Sequence, residues 1–159
     1  MTASDAQIGA PTLLPAEELP IGQELGCGTH EVTQQEMIGF ASTWDPQYFH
    51  VDAVRAAESD FGGLIASGLH TLSIYQRLAV TGVYDKYDVV AGRALREVKF
   101  LRPVRSGDVL TCSVTVTSIE PDAPGRCAVA IDGLLRNQHD KPVLALTVDC
   151  LIRSRARDA

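Results

Sequence analysis

The sequence predicts an α+β domain in which one long central helix is wrapped by a curved antiparallel sheet of about five strands. Three observations carry this. Between Ser67 and Val83, Leu69, Leu72, Ile74, Tyr75, Leu78, Ala79 and Val80 cover more than one helical stripe, and a helix apolar on most sides belongs inside a fold. After residue 88 the apolar period turns from helical to alternating. Runs rich in Val, Ile, Leu and Thr then follow one another with only turn signals between them, which implies antiparallel pairing.

Each element has its own reason. Residues 1–20 hold Pro11, Pro15 and Pro20 and no periodicity, so they are expected as an extended N-terminal arm, with a single domain over 21–155. A first strand falls near Glu24–Val32. Thr33 and Glu36 have the spacing of a capping box, and Met37, Phe40, Ala41 and Trp44 continue at helical spacing. Pro46 ends that helix just after Asp45. Asp52 is expected to cap a short helix over Ala53–Glu58, which Gly62-Gly63 breaks. Ser67 is the expected cap of the central helix. Strands are expected at Ala94–Leu101, Asp108–Ile119, Cys127–Arg136 and Val143–Arg153, as a four-strand meander. Val114, Val116 and Ser118 alternate against Thr115 and Thr117, as on a half-exposed strand. Phe40, Trp44 and Tyr75 are expected in the core. This order of elements is that of the hot-dog fold.

A chain of 159 residues suggests one domain able to bury roughly 70% of its unfolded surface. A net charge of −6 argues against a nucleic-acid partner. The charge is uneven: Arg93, Arg96, Lys99, Arg102 and Arg105 face one acid, Glu97, across thirteen positions. That run is either a solvated strand edge or a patch for an anionic tail such as a nucleotide or pantetheine phosphate. Cys27, Cys112, Cys127 and Cys150 lack the spacing of a zinc site and read as small buried residues of a reducing compartment, so no metal is expected. No secretory signal and no apolar window near 18 residues is evident, so no membrane partner and a cytoplasmic location are expected.

The chemistry concentrates between Trp44 and Gly68. Asp45 precedes His50 by five positions, on a short bent segment where a carboxylate and an imidazole can share one water. Burial is expected to raise the Asp45 pKa. Ahead of the central helix, the backbone N–H groups of Gly68 and Ser67 suit an oxyanion hole, because first-turn N–H groups lack helical partners and meet the positive end of the dipole. Gly63 and Ile65 are the expected substrate-binding residues. Taken singly, Asp45 and His50 each have a structural reading, as a turn residue and a buried histidine; their pairing ahead of the glycine elements favours catalysis. Ser67 and Asp52 read as caps. His30, His70 and His139 read as structural or surface residues, His70 with the option of facing the pocket.

Asp45, His50, Asp52, Phe61, Gly62, Ile65, Ala66 and Gly68, with the later stretch Glu97–Leu110, resemble the signature of the MaoC-like dehydratases, the group that includes (R)-specific enoyl-CoA hydratases. Gln47, Tyr48 and Ser67 stand where that signature has Asn, Pro and His. The resemblance covers roughly residues 20–153 and implies reversible, cofactor-free hydration of a trans-2-enoyl thioester to an (R)-3-hydroxyacyl thioester. It further implies an acyl-CoA or acyl-carrier thioester as partner, and a homodimer or assembly of dimers. A hot-dog thioesterase is the alternative, although Leu69–Ala79 holds no Asp or Glu to activate water at the carbonyl. A non-catalytic hot-dog subunit is a third reading. Which proton Asp45 and His50 each move is left open by the sequence.

Overall fold

The structure, a computed structural model, describes residues 10–155; the first nine positions of the expected arm lie outside them. Its elements run β1 (Glu24–Glu31), α1 (Gln34–Trp44), α2 (Tyr48–Val51), α3 (Ala53–Ala57), α4 (Gly68–Gly82), β2 (Val89–Phe100), β3 (Val109–Ala123), β4 (Arg126–Arg136) and β5 (Pro142–Arg153). The five strands form one antiparallel sheet, and α4 packs on β1, β3 and β4, so the chain has the hot-dog fold.

Strand alternation builds the core. Leu110, Cys112, Val114 and Val116 of β3 and Cys127, Val129, Ile131 and Leu135 of β4 point inward onto Ile74, Tyr75, Leu78 and Ala79 of α4. All four cysteines are buried free thiols. Tyr75 is fully buried, and its ring occupies the space above Gly133: a Cβ built there would lie 2.3 Å from the Tyr75 hydroxyl. The strand can pass under the helix at that point only because position 133 has no side chain. Residues 14–19 dock on the sheet. Leu14 exchanges hydrogen bonds with Lys86 and Asp88, and Ala16 and Leu19 are buried.

Three expectations are corrected. The strand order is β1-β3-β4-β5-β2, so the expected four-strand meander is a three-strand one, with β2 on the far edge beside β5. The reason lies in segment 101–108, which is no hairpin turn. It runs along the end of the sheet, with Leu101 N donating to Val143 O, Val104 O accepting from Ala66 N and Gly107 N donating to Val32 O. Trp44 is 70% exposed rather than in the core, because it is the last residue of α1 and lies past Ala41, where the buried part of that helix ends. Leu69, in the first turn of α4, is 52% exposed, so the helix is apolar beyond the face that the sheet covers.

Candidate active site

Three local structures bring the site together. Thr33 caps α1 by accepting from Glu36 N at 3.2 Å, and α1 ends at Asp45, whose N–H still donates to Ala41 O. Glu36 Oε2 meets the Thr33 hydroxyl rather than completing the box on the backbone, since Oε1 is taken by His30 Nε2 at 2.7 Å. One turn of helix, α2, follows Pro46 and swings His50 back inward until it is 4% exposed. Asp52 then caps α3, accepting from Val54 N and Arg55 N at 3.1 Å each.

His50 Nδ1 lies 2.8 Å from Ile65 O, and Nε2 lies 3.3 Å from Asp45 Oδ2. A carbonyl oxygen only accepts, so Nδ1 carries the hydrogen. In the neutral ring, Nε2 then presents a lone pair toward the carboxylate. Two acceptors facing each other are an unfavourable pair that a proton or a water donating to both relieves.

Asp45 is held by Ser67, whose hydroxyl donates to Oδ2 at 2.6 Å, and by Gln47, whose amide donates to Oδ1 at 2.9 Å. The same Ser67 oxygen accepts from Leu69 N at 3.2 Å, so one fully buried hydroxyl both caps α4 and fixes the carboxylate. The expected rise in the Asp45 pKa is overturned. The Ser67 hydrogen bond, then that of Gln47, holds this carboxyl below its ordinary range; burial opposes them, and His50 adds a smaller effect in the lowering direction. Asp45 is a stabilised anion, because its oxygens meet donors before they meet apolar surface.

A cleft of about 330 Å³ opens beside His50, lined by His50, Phe61, Ile65, Ala66, Gly68, Thr71, Phe100, Leu101, Arg102, Pro103, Val104 and Val143; Asp45 sits behind His50, outside the lining. The Gly68 N–H opens α4 and makes no hydrogen bond to another described residue. The Phe100 ring packs on Gly68 so closely that a Cβ there would lie 2.9 Å from its Cε1. Ile65 thus contributes both its side chain to the cleft and its carbonyl to His50. Gly63 is not in the lining; its nearest neighbour is the Arg105 guanidinium. His70 is buried but faces a separate cleft with His30, Glu36 and Arg77, and stacks on the half-buried Phe40 at 5.0 Å.

Sequence reasoning missed the Ser67 side chain, Thr71 and the wall from Phe100 to Val104. The Ser67 bond joins positions 22 residues apart, a separation that no local pattern encodes. The wall was hidden because Phe100 and Leu101 read as the end of a strand and Arg105–Asp108 as the turn after it. Among the described residues, no three His, Cys, Asp or Glu side chains are arranged so as to hold a metal ion, and no helix is long and apolar enough to cross a membrane.

Comparison with known proteins agrees with this architecture. The structure superposes on the crystal structure of the MaoC-like dehydratase from Rhodospirillum rubrum with a TM-score of 0.80 at 33% identity, covering 89% of this chain and 98% of that one. The uncharacterized protein YdeM of Bacillus subtilis is 34% identical over 105 residues, 66% of this chain and 74% of its own length. The 3-hydroxyacyl-thioester dehydratase Z of Mycobacterium tuberculosis is 35% identical over 95 residues, 56% of this chain and 60% of that protein. A family model described as the MaoC-like domain matches residues 17–130, a span that includes Asp45, His50, Ser67 and Gly68. With its hot-dog fold and that match over most of its length, this chain belongs to the MaoC-like dehydratase family.

Proposed function

We propose that the protein reversibly hydrates a trans-2-enoyl thioester to a 3-hydroxyacyl thioester, the (R) isomer by resemblance to its family, with Asp45 and His50 as the catalytic pair. The observation that carries the reading is the 3.3 Å approach of His50 Nε2 to Asp45 Oδ2 beside the open N-terminus of α4. Ionised Asp45 and neutral Nε2 are both acceptors, so a water bound next to them donates its hydrogens to the pair and turns a lone pair outward. As its oxygen bonds to the β-carbon, one O–H bond breaks and the proton passes to the pair. The π electrons move onto the thioester oxygen as an enolate. The Gly68 N–H, with that of Ser67, stabilises the enolate, and one such donor is worth about 3–4 kcal/mol in the transition state. Collapse of the enolate takes the proton at the α-carbon and leaves the pair as it began. No atom changes hands beyond water, so the reading needs no cofactor, and the acyl-CoA or acyl-carrier thioester is substrate.

The apolar lining supplied by Ile65, Ala66, Val104 and Val143 suits the acyl chain. A homodimer fits the same reading. The edge strand β2 and the residues after it expose Val89, Val90, Leu95, Phe100 and Leu101, an apolar edge that a second copy would cover.

The test is loss of conjugated thioester absorbance with crotonyl-CoA, alongside a free-thiol assay. Asp45→Asn and His50→Ala are each expected to lower kcat about 100- to 10,000-fold with the fold retained. Near-normal turnover in either variant removes that residue from the mechanism, and stoichiometric thiol release identifies a thioesterase instead.

A further inference from the structure

Five cations occupy the stretch from Arg93 to Arg105, and the structure divides them. Arg93 Nη1 lies 2.9 Å from Asp122 Oδ1. Arg96 makes a two-pronged pair with Asp149, at 2.5 and 2.8 Å. Lys99 lies 3.6 Å from Glu97. These three sit on β2 and are neutralised by carboxylates of β3, β5 and β2 itself.

Arg102 and Arg105 differ. Both lie on segment 101–108, which walls the His50 cleft, and neither guanidinium has a carboxylate within ion-pair distance among the described residues. Arg102 Nη1 donates to Pro142 O at 2.6 Å, and Arg105 Nη2 donates to Phe61 O at 2.6 Å. Asp108, three positions after Arg105, is engaged elsewhere: its Oδ2 accepts from the Arg105 backbone N–H and its Oδ1 from the Gln138 amide. Each arginine therefore uses one of its five donors to fix its position and keeps the others: Arg102 lines the cleft, and Arg105, just outside the lining, is held against the wall residue Phe61. One is anchored on the Phe61 wall and the other on the Pro142–Val143 side. A carbonyl oxygen as sole anchor orients a guanidinium without cancelling its charge, which is the state suited to receiving an anion. In a chain of net charge −6, these two charges also offset the general repulsion that an anionic substrate meets.

We propose that Arg102 and Arg105 form a phosphate-recognition site at the mouth of the His50 cleft, where they bind the phosphate of the thioester carrier. This rests on the hydratase reading for its substrate, but it assigns a separate contact with a separate readout. The phosphate chemistry is shared by coenzyme A, with its nucleotide phosphates, and by the phosphopantetheine arm of a carrier protein. The acyl end enters the apolar cleft toward His50, and the phosphate stays at the rim. The two arginines govern binding and not the proton transfers.

The experiment compares wild type with Arg102→Gln, Arg105→Gln and the double variant on three thioesters: crotonyl-CoA, crotonyl-4′-phosphopantetheine and crotonyl-pantetheine, which has no phosphate. The double variant is expected to raise KM for crotonyl-CoA about tenfold or more, with kcat little changed and KM for crotonyl-pantetheine unaltered. An equal rise for the phosphopantetheine thioester places the contact on the phosphate that both carriers share; a rise for crotonyl-CoA alone places it on the nucleotide phosphates. Unchanged KM for crotonyl-CoA, or an equal rise with crotonyl-pantetheine, overturns the proposal. Calorimetric binding of free CoA separates this failure from that of the hydratase reading. If no thioester is hydrated, CoA affinity that falls in the double variant and weakens with added salt still supports the site, and affinity indifferent to both refutes it.

Discussion

Replacing Ser67 with alanine removes one oxygen and breaks two bonds at once. The first is the 2.6 Å hydrogen bond to the Asp45 carboxylate, charge-assisted and buried at the serine end. Hydrogen bonds to charged groups contribute about 1.5–3 kcal/mol, and the partial exposure of Asp45 places this one toward the lower end. The second is the cap on Leu69 N, whose loss costs about 1 kcal/mol. Together the variant should be destabilised by about 2–3 kcal/mol in urea titration at pH 7. Because the Asp45 pKa is lowered chiefly by Ser67, the carboxylate contributes stability that is fully present above its unfolded pKa and is lost as pH falls through its folded pKa. In Ser67→Ala that folded pKa rises toward the ordinary carboxylate value, and the acid limb of the hydration rate moves to higher pH with it. A double-mutant cycle with Asp45→Asn isolates the bond, with an expected coupling near 1.5 kcal/mol or above. A stability loss under about 0.5 kcal/mol, with an unmoved acid limb, would show that the serine only fills space.

Three further outcomes follow from the same packing. Gly133→Ala drives a Cβ into the Tyr75 hydroxyl and ring, 2.3–2.4 Å away in a fully buried position, and should cost about 3 kcal/mol or prevent folding; a Tm within a few degrees of wild type contradicts that packing. Gly68→Ala meets the half-exposed Phe100 ring at 2.9 Å, which can swing away, so stability should fall by about 1 kcal/mol or less while KM rises as the cleft wall shifts. An unchanged KM would place the substrate elsewhere. Nitrogen-15 spectra of the neutral enzyme should show His50 protonated at Nδ1, the nitrogen facing Ile65 O, with Nε2 bare; the opposite tautomer would remove Nε2 as the acceptor.

Much of this molecule is local in origin and therefore legible in its sequence. Thr33 begins α1, Pro46 ends it, Asp52 caps α3 and Ser67 caps α4, each acting over two to four residues. Apolar period separated the buried helix from the strands, and alternation on β3 and β4 marked which side chains face it. The Asp45–His50 spacing was visible too, because one turn of helix after Pro46 suffices to bring the imidazole back.

Contacts between distant segments were decided only by the fold. The seat of β2 beside β5 goes with segment 101–108 crossing the sheet end, a path held by hydrogen bonds to three separate parts of the chain, at Val32, Ala66 and Val143. The sign of the Asp45 pKa shift depended on the hydroxyl of Ser67, and the division of the Arg93–Arg105 cations into paired and free depended on which strand carries Asp122 and Asp149. Capping and periodicity are properties of neighbouring residues. Charge state and cleft shape are set by what the rest of the chain folds against each group, and that requires the tertiary structure.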